Sequence, residues 1–292
     1  PQPWAAESVE WLSDTEVEIV LRDGMLWHDG QPVTVEDVKF SFEAPMTGEV
    51  PMYKPFVDII AEIEIVDSST LIFTLHRPWA AFETASLAKL NIVPKHIWEP
   101  IFADLATRPE NAETIQEDVP IGSGPFKFVD WKFAEEVVLA ANTEHFAAPN
   151  VDRWIARFIS NMEAALGMIQ NGEINFLATY LGDSELLAQR VERDPKLTMV
   201  SSVDLGYRFM AVNHNRPPFN DVAFRRALAV INDRDFVVEG IWKGYAVPAQ
   251  SVISPALEFW SNPDLDWPVG WIDEAKEILA AAGYEWNQQG RL

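Results

Sequence analysis

The chain has 292 residues, 48% of them hydrophobic, and carries 22 Lys and Arg against 45 Asp and Glu for a formal net charge of -23. That length and apolar content support a sizeable core divided between two or three lobes, while the charge opposes binding to nucleic acid phosphates or anionic lipid. The absence of cysteine excludes disulfides, thiol catalysis and Cys-ligated metal, no run reaches the ~18 apolar residues of a membrane span, and Pro1-Gln2-Pro3-Trp4 does not read as a signal peptide.

In chain order, Val17, Ile19 and Leu21 alternate with Glu16, Glu18, Val20 and Arg22, which predicts a strand with one face better buried. Asp23-Gly24 and Asp29-Gly30 predict two tight turns, because Gly supplies positive φ and Asp bonds back to its own backbone. Thr34 is placed to cap a helix, with Asp37 three residues on and an apolar face of Val35, Val38 and Phe42. Residues 59–66 and 71–75 read as strands, 79–87 and 94–105 as helices, and 108–113 as a loop. A hairpin is predicted over 126–131 and 136–141. Met162, Leu166 and Ile169 recur at helical spacing before an Asn171-Gly172 stop, and 174–177 and 207–213 read as strands.

The five histidines include no i,i+4 pair, so no zinc helix is expected, and packing or hydrogen bonding is the preferred reading of His28 and His96. Adjacent acids such as Glu135-Glu136 point to opposite faces of a strand and make poor catalytic partners, which must face each other. No nucleophile elbow, P-loop or dinucleotide fingerprint is present. Catalysis, a bound metal and a cofactor are therefore not expected. Among twelve tryptophans, Trp27, Trp98 and Trp154 are assigned to the core. Trp131, at a strand end, and Trp260, in the loop-rich segment 254–268, are assigned to a ligand cleft.

Four segments resemble one known family, the extracellular solute-binding proteins of family 5, the peptide- and nickel-binding group that serves ABC importers. The first is Leu21-Arg22-Asp23-Gly24 with Trp27-His28-Asp29-Gly30-Gln31-Pro32-Val33-Thr34 and Asp37-Val38. The second runs from residue 63 to Pro78 and into Pro94-Lys95-His96. The third is Gly122-Ser123-Gly124-Pro125-Phe126, followed by Asn142 and His145-Phe146. The fourth spans Asn213 to Arg234, with Pro218, Phe219, Asp221, Arg225, Ala227, Leu228 and Asp233 in place.

The resemblance implies an α/β fold, two-lobed and periplasmic-binding-protein-like (class II, cluster C type), with an extra subdomain on lobe I. It divides the chain into an accessory subdomain (1–121), the core sheet of lobe I (122–212) and the start of lobe II (213–292). Because 273–284 resembles a helix that precedes most of the second lobe's sheet in that family, the second lobe is expected to be incomplete. That helix would also need a partner surface for Ile278 and Leu279. An initial strand is expected to be missing before Trp4. The implied function is the substrate-binding component of an ABC importer, a monomer outside the cytoplasm, lipid-anchored or secreted in full-length form. It captures an oligopeptide or similar solute and hands it to the permease. Tyr207, Arg208, Phe209 and Asn213 fall on the segment that borders the family's cleft, and Arg208 is suited to a ligand carboxylate. The alternatives are an oligosaccharide carrier, favoured by the tryptophans, and a sensor or interaction module attached to a regulator.

Overall fold

The computed structural model describes residues 3–48, 50–107, 120–180, 182–265 and 271–290, without the side chains of 105–107. The predicted loop at 108–113 lies outside the described residues. The chain divides into two compact units, Pro1–Phe158 and Ile159–Leu292.

The first unit holds strands β1 (Ala6–Trp11) and β2 (Glu16–Leu21), helices α1 (Val35–Thr47) and α2 (Lys54–Val57), strands β3 (Ile60–Ile65) and β4 (Thr70–Leu75), and helix α3 (Lys95–Thr107). Strands β5 (Phe126–Lys132), β6 (Glu136–Ala141) and β7 (Arg153–Arg157) follow. The first four strands form one antiparallel sheet in the order β1-β2-β4-β3, and the last three form a second in the order β5-β6-β7. The alternation read in β2 holds, since Val17, Ile19 and Leu21 are buried opposite Phe73, Leu71 and Ser69. Their face packs with Phe42 of α1, whose ring lies 5.1 Å from that of Phe73, and with Phe82, 5.8 Å from the same ring. Each such fully buried side chain contributes about 1.5–3 kcal/mol.

A single carboxylate joins this core to its surroundings. Asp37 is 4% exposed and forms a capping box with Thr34, accepting from Thr34 N–H (2.8 Å) and Thr34 Oγ1 (3.0 Å). It also accepts from the Trp27 indole (3.2 Å) and, through Oδ1, from the Lys95 N–H that begins α3 (2.8 Å). One side chain thus satisfies donors at the starts of two helices and orients the buried Trp27.

Two expectations for this unit are corrected. The helix predicted over 79–87 is only a π turn at Glu83–Leu87, where the Ala88 N–H reaches back to Glu83 O at 2.9 Å. The buried Ser86 hydroxyl there donates to Phe56 O. Trp154 is not core. It sits on the edge strand β7, every residue of which is exposed, and is itself 46% exposed with its ring 6.3 Å from Phe126. Trp98 is half-buried against Phe102, whereas Trp27 is core as expected.

The second unit contains α4 (Met162–Gln170), α5 (Ser184–Arg193), α6 (Val222–Val230), α7 (Arg234–Phe236), a π turn (Val237–Ile241) and α8 (Ile272–Ala281). Asn161, Asp183, Asp221 and Asp233 each cap a helix through a side-chain oxygen. The strands predicted at 174–177 and 207–213 do not form, and no strand is found among the described residues of this unit. A strand needs a ladder partner, and without one Phe176, Phe209 and Met210 stay exposed on irregular backbone. The apolar face of α8 does find a surface, because Ala275 and Leu279 pack on Ala227 and Val230 of α6 with Ile278 alongside.

Beside that cluster, the Tyr284 hydroxyl donates to Asp221 Oδ2 at 2.8 Å. This bond, followed by the Ala223 N–H, holds the Asp221 carboxyl below its ordinary value. A depressed carboxyl contributes stability above its unfolded pKa, and that stability is lost as pH falls through the folded value. Tyr284→Phe should therefore raise the Asp221 titration midpoint toward the usual carboxylate range in a carboxyl-carbon NMR titration. An unmoved midpoint would assign the depression to the helix cap alone.

Candidate functional site

The best-formed concavity in the first unit is a cleft of about 280 Å³ between the Asp23–Gly30 turns and the β5–β6 hairpin. Positive φ at Gly24 (72°) and Gly30 (88°) folds the turns tightly, as the sequence predicts. Trp27 N–H bonds Gln31 O and Val33 N–H bonds Met25 O, so the loop closes as a short hairpin.

His28 is fixed by three bonds to the glycine-rich turn. Its own N–H donates to Gly122 O (2.8 Å), the Gly122 N–H donates to Nδ1 (3.3 Å), and Nε2–H donates to Gly124 O (3.0 Å). These partners assign a neutral imidazole protonated at Nε2, with no nitrogen left for a metal. His96 is paired with Asp29 Oδ2 at 2.7 Å. Burial pushes Asp29 up, but the Gln31 N–H and then His96 outweigh it and leave its carboxyl below the ordinary value. The two histidines are thus tied into the scaffold.

The cleft's remaining polar groups come from the hairpin side. Asn142, 6% exposed, donates from Nδ2 to Gly124 O (3.2 Å), and its Oδ1, itself closed to solvent, has no hydrogen-bond partner among the described residues. Lys127 Nζ stands 3.8 Å from Glu144 Oε2, an ion pair too long to be a hydrogen bond. His145 accepts from the Ala147 N–H at Nδ1 (2.9 Å), and burial holds its pKa below the ordinary value. Its ring lies 4.2 Å from that of Phe146, over which the Arg22 guanidinium sits at 4.5 Å. Such a set can bind and orient a polar solute, but it includes no activated nucleophile. Among the described residues no group of three or more His, Asp or Glu is placed to hold a metal ion, and no helix is long and apolar enough to cross a membrane.

The residues nominated from the sequence lie elsewhere. Trp131, 58% exposed near the end of β5, pairs with Phe133 at 6.0 Å in the first unit. In the second unit Tyr207 and Phe209 pair at 5.5 Å, and the Arg208 guanidinium lies 5.6 Å from the Trp242 ring centroid. Asn213 accepts from the Asn215 N–H in a local turn, and Trp260, 68% exposed, meets Phe259 edge-on at 4.8 Å. Tyr207, Arg208 and Phe209 form one exposed aromatic and cationic patch. The sequence assigns no binding role to Asn142, Lys127 and Glu144, because the cleft they line forms only where the β5–β6 hairpin meets the Asp23–Gly30 turns about a hundred residues away.

The family model for bacterial extracellular solute-binding proteins, family 5 Middle, matches residues 1–292, and the chain belongs to this family. Among curated relatives it is 29% identical over 287 residues to the oligopeptide-binding protein AppA of Bacillus subtilis, covering 96% of this chain and 51% of AppA. The solved structure of that protein in complex with a nonapeptide superimposes with a TM-score of 0.83 at 27% identity, covering 98% of this chain and 56% of the other. NikZ from Campylobacter jejuni, solved in complex with Ni(L-His), gives a TM-score of 0.82 at 28% identity, with coverages of 99% and 56%. The fold is that of these solute-binding proteins, and the chain spans about half the length of the relatives it matches.

Proposed function

We propose that the protein is the substrate-binding component of an ABC importer that captures an oligopeptide or similar small solute between two lobes and delivers it to a membrane permease. The observation that carries this reading is the family match over the whole of residues 1–292. The similarity to proteins solved with a nonapeptide and with Ni(L-His) supports a small solute as cargo. In this reading residues 1–121 are an accessory subdomain, 122–212 the core sheet of the first lobe and 213–292 the start of the second. The protein works as a monomer, outside the cytoplasm, anchored by lipid or secreted. It turns nothing over.

Tyr207, Arg208, Phe209 and Asn213 are proposed as the ligand-facing segment, Arg208 offering a planar fork to a solute carboxylate. Trp131 and Trp260 are proposed as stacking surfaces. Their exposure beside Phe133 and Phe259 favours one second reading, an oligosaccharide cargo, since exposed indoles stack on sugar faces.

Native mass spectrometry of the complete gene product decides between these cargoes. Added masses that resolve into amino-acid sums are expected. Hexose sums would replace peptide with oligosaccharide, and a bare mass that no peptide pool shifts would remove peptides as cargo.

A further inference from the structure

The segment that leads into β1 is fastened to the first unit through a group able to change its charge near neutral pH. β1 begins at Ala6, and Trp4, just before it, packs on the turn that follows β6. The Trp4 ring lies 5.2 Å from Phe146, edge-on, and 5.8 Å from His145, while its carbonyl accepts from Arg22 Nε–H at 3.1 Å. Arg22 also sits over Phe146, so Trp4, His145, Phe146 and Arg22 form one cluster around a single phenyl ring. Trp4 is 56% exposed, and these contacts hold it. From Ala6 onward the ladder with β2 takes over.

His145 is the member of the cluster that titrates near neutrality. Its Nδ1 accepts from Ala147 N–H at 2.9 Å, which requires an unprotonated nitrogen there. An imidazolium carries hydrogen on both nitrogens, so a proton arriving at Nδ1 would face another donor and the ring would have to turn out of that bond. Protonation would also place a second cation on the ring that Arg22 already covers, since the His145 centroid is 4.2 Å and the Arg22 guanidinium carbon 4.5 Å from the Phe146 centroid. Attraction of an imidazolium for the aromatic faces works in the opposite direction, as do the acids of the adjoining cleft. Those acids are engaged elsewhere: Asp29 pairs with His96, Asp23 accepts from Gly24 N–H, and Glu144 faces Lys127 Nζ at 3.8 Å. His28, which lines the same cleft, has both ring nitrogens bound to the 122–124 turn. The balance lies with the neutral ring, because burial holds the His145 pKa below its ordinary value.

We propose that His145 is an acid-sensitive latch: neutral, it holds Trp4 against the first unit, and protonated, it releases the segment before β1. A histidine depressed in the packed state takes up its proton more readily once the packing is broken. The latch is therefore closed above the ordinary histidine value and opens progressively as pH falls through that value toward the lower folded one. Release stops at Ala6, where the β1–β2 ladder begins. The latch lies wholly within the first unit, so it stands whether or not the importer reading holds.

The test is an NMR titration of the complete gene product, labelled at the tryptophan indole nitrogens, from about pH 8 to about pH 5, the interval in which histidine changes charge. The Trp4 indole N–H is assigned by its absence in Trp4→Phe, and the His145 ring protons by their absence in His145→Phe. The Trp4 resonance is expected to move to the position of a free tryptophan side chain, with the midpoint of His145 and below about 6.5. His145→Phe keeps a ring in place but cannot titrate, and should abolish the movement. His145→Gln keeps an acceptor for Ala147 N–H without the ring and should abolish it too, so a packing defect in one variant does not decide the result. A Trp4 resonance unmoved while His145 titrates, or one with a different midpoint, overturns the proposal. So does a movement that persists in both variants, which would assign it to His28 or to the acids of the cleft.

Discussion

Asp37→Ala is expected to destabilise the first unit by about 3–5 kcal/mol, among the largest effects of any single polar substitution in the chain. The carboxylate accepts from Thr34 N–H, Thr34 Oγ1, the Trp27 indole and Lys95 N–H, and lies at the junction of α1, α3 and the Trp27 loop. Truncation removes a helix cap, worth about 0.5–2 kcal/mol alone, and leaves the buried indole and the part-buried Lys95 amide without their acceptor. The most protected amides of β2 and β4 should then exchange roughly two to three orders of magnitude faster, since about 1.4 kcal/mol corresponds to tenfold. Asp37→Asn keeps one acceptor oxygen but turns an NH2 toward donors, and should fall between the two. Exchange rates unchanged within a factor of about three in Asp37→Ala would show that water satisfies the four donors.

That hub explains why so much of the first unit was legible in the sequence. Asp37 stands three residues after Thr34, and this local spacing was enough to identify the cap. The two glycine turns were legible for the same reason, since positive φ restricts the choice of residue. The long-range part was not legible. Nothing local says that Asp37 also caps α3 across 58 residues, or that His28 is held by Gly122 and Gly124. Trp154 failed because a strand of Arg, Trp and Ile does not reveal whether it is central or at an edge, and β7 is an edge. The segments 174–177 and 207–213 failed more instructively. Their composition is strand-like, but a strand is a pairing and not a property of one segment, and no partner pairs with them among the described residues. The candidate cleft shares this limit, being assembled by tertiary contacts from residues whose types are individually ordinary.

Separated from each other, the two units are expected to behave unequally: residues 1–158 should unfold in one cooperative transition, and residues 159–292 in none. The first unit has a contiguous core of seventeen buried side chains, from Val17 to Leu90, between one face of the β1-β2-β4-β3 sheet, α1 and the segments that cover it. The second has a cluster of four, Ala227, Val230, Ala275 and Leu279, three of them small or short, with Ala165 and Leu166 buried apart from it. Ordering each backbone residue costs about 1–2 kcal/mol, and these few buried side chains cannot offset that over a unit of this length. Its α-helices are only nine or ten residues long where they exceed one turn, below the length at which isolated helices persist in water. Far-UV circular dichroism during urea unfolding checks the difference. A sigmoidal transition for 159–292 would mean that the exposed Phe176, Val200, Phe209, Phe259 and Trp260 contribute to a core that the α6–α8 cluster does not account for. A gradual loss of signal would have a functional consequence. Order in the segment bearing Tyr207, Arg208 and Phe209 would then depend on what binds it, so a solute that engages those side chains should stabilise the unit by mass action and steepen its unfolding.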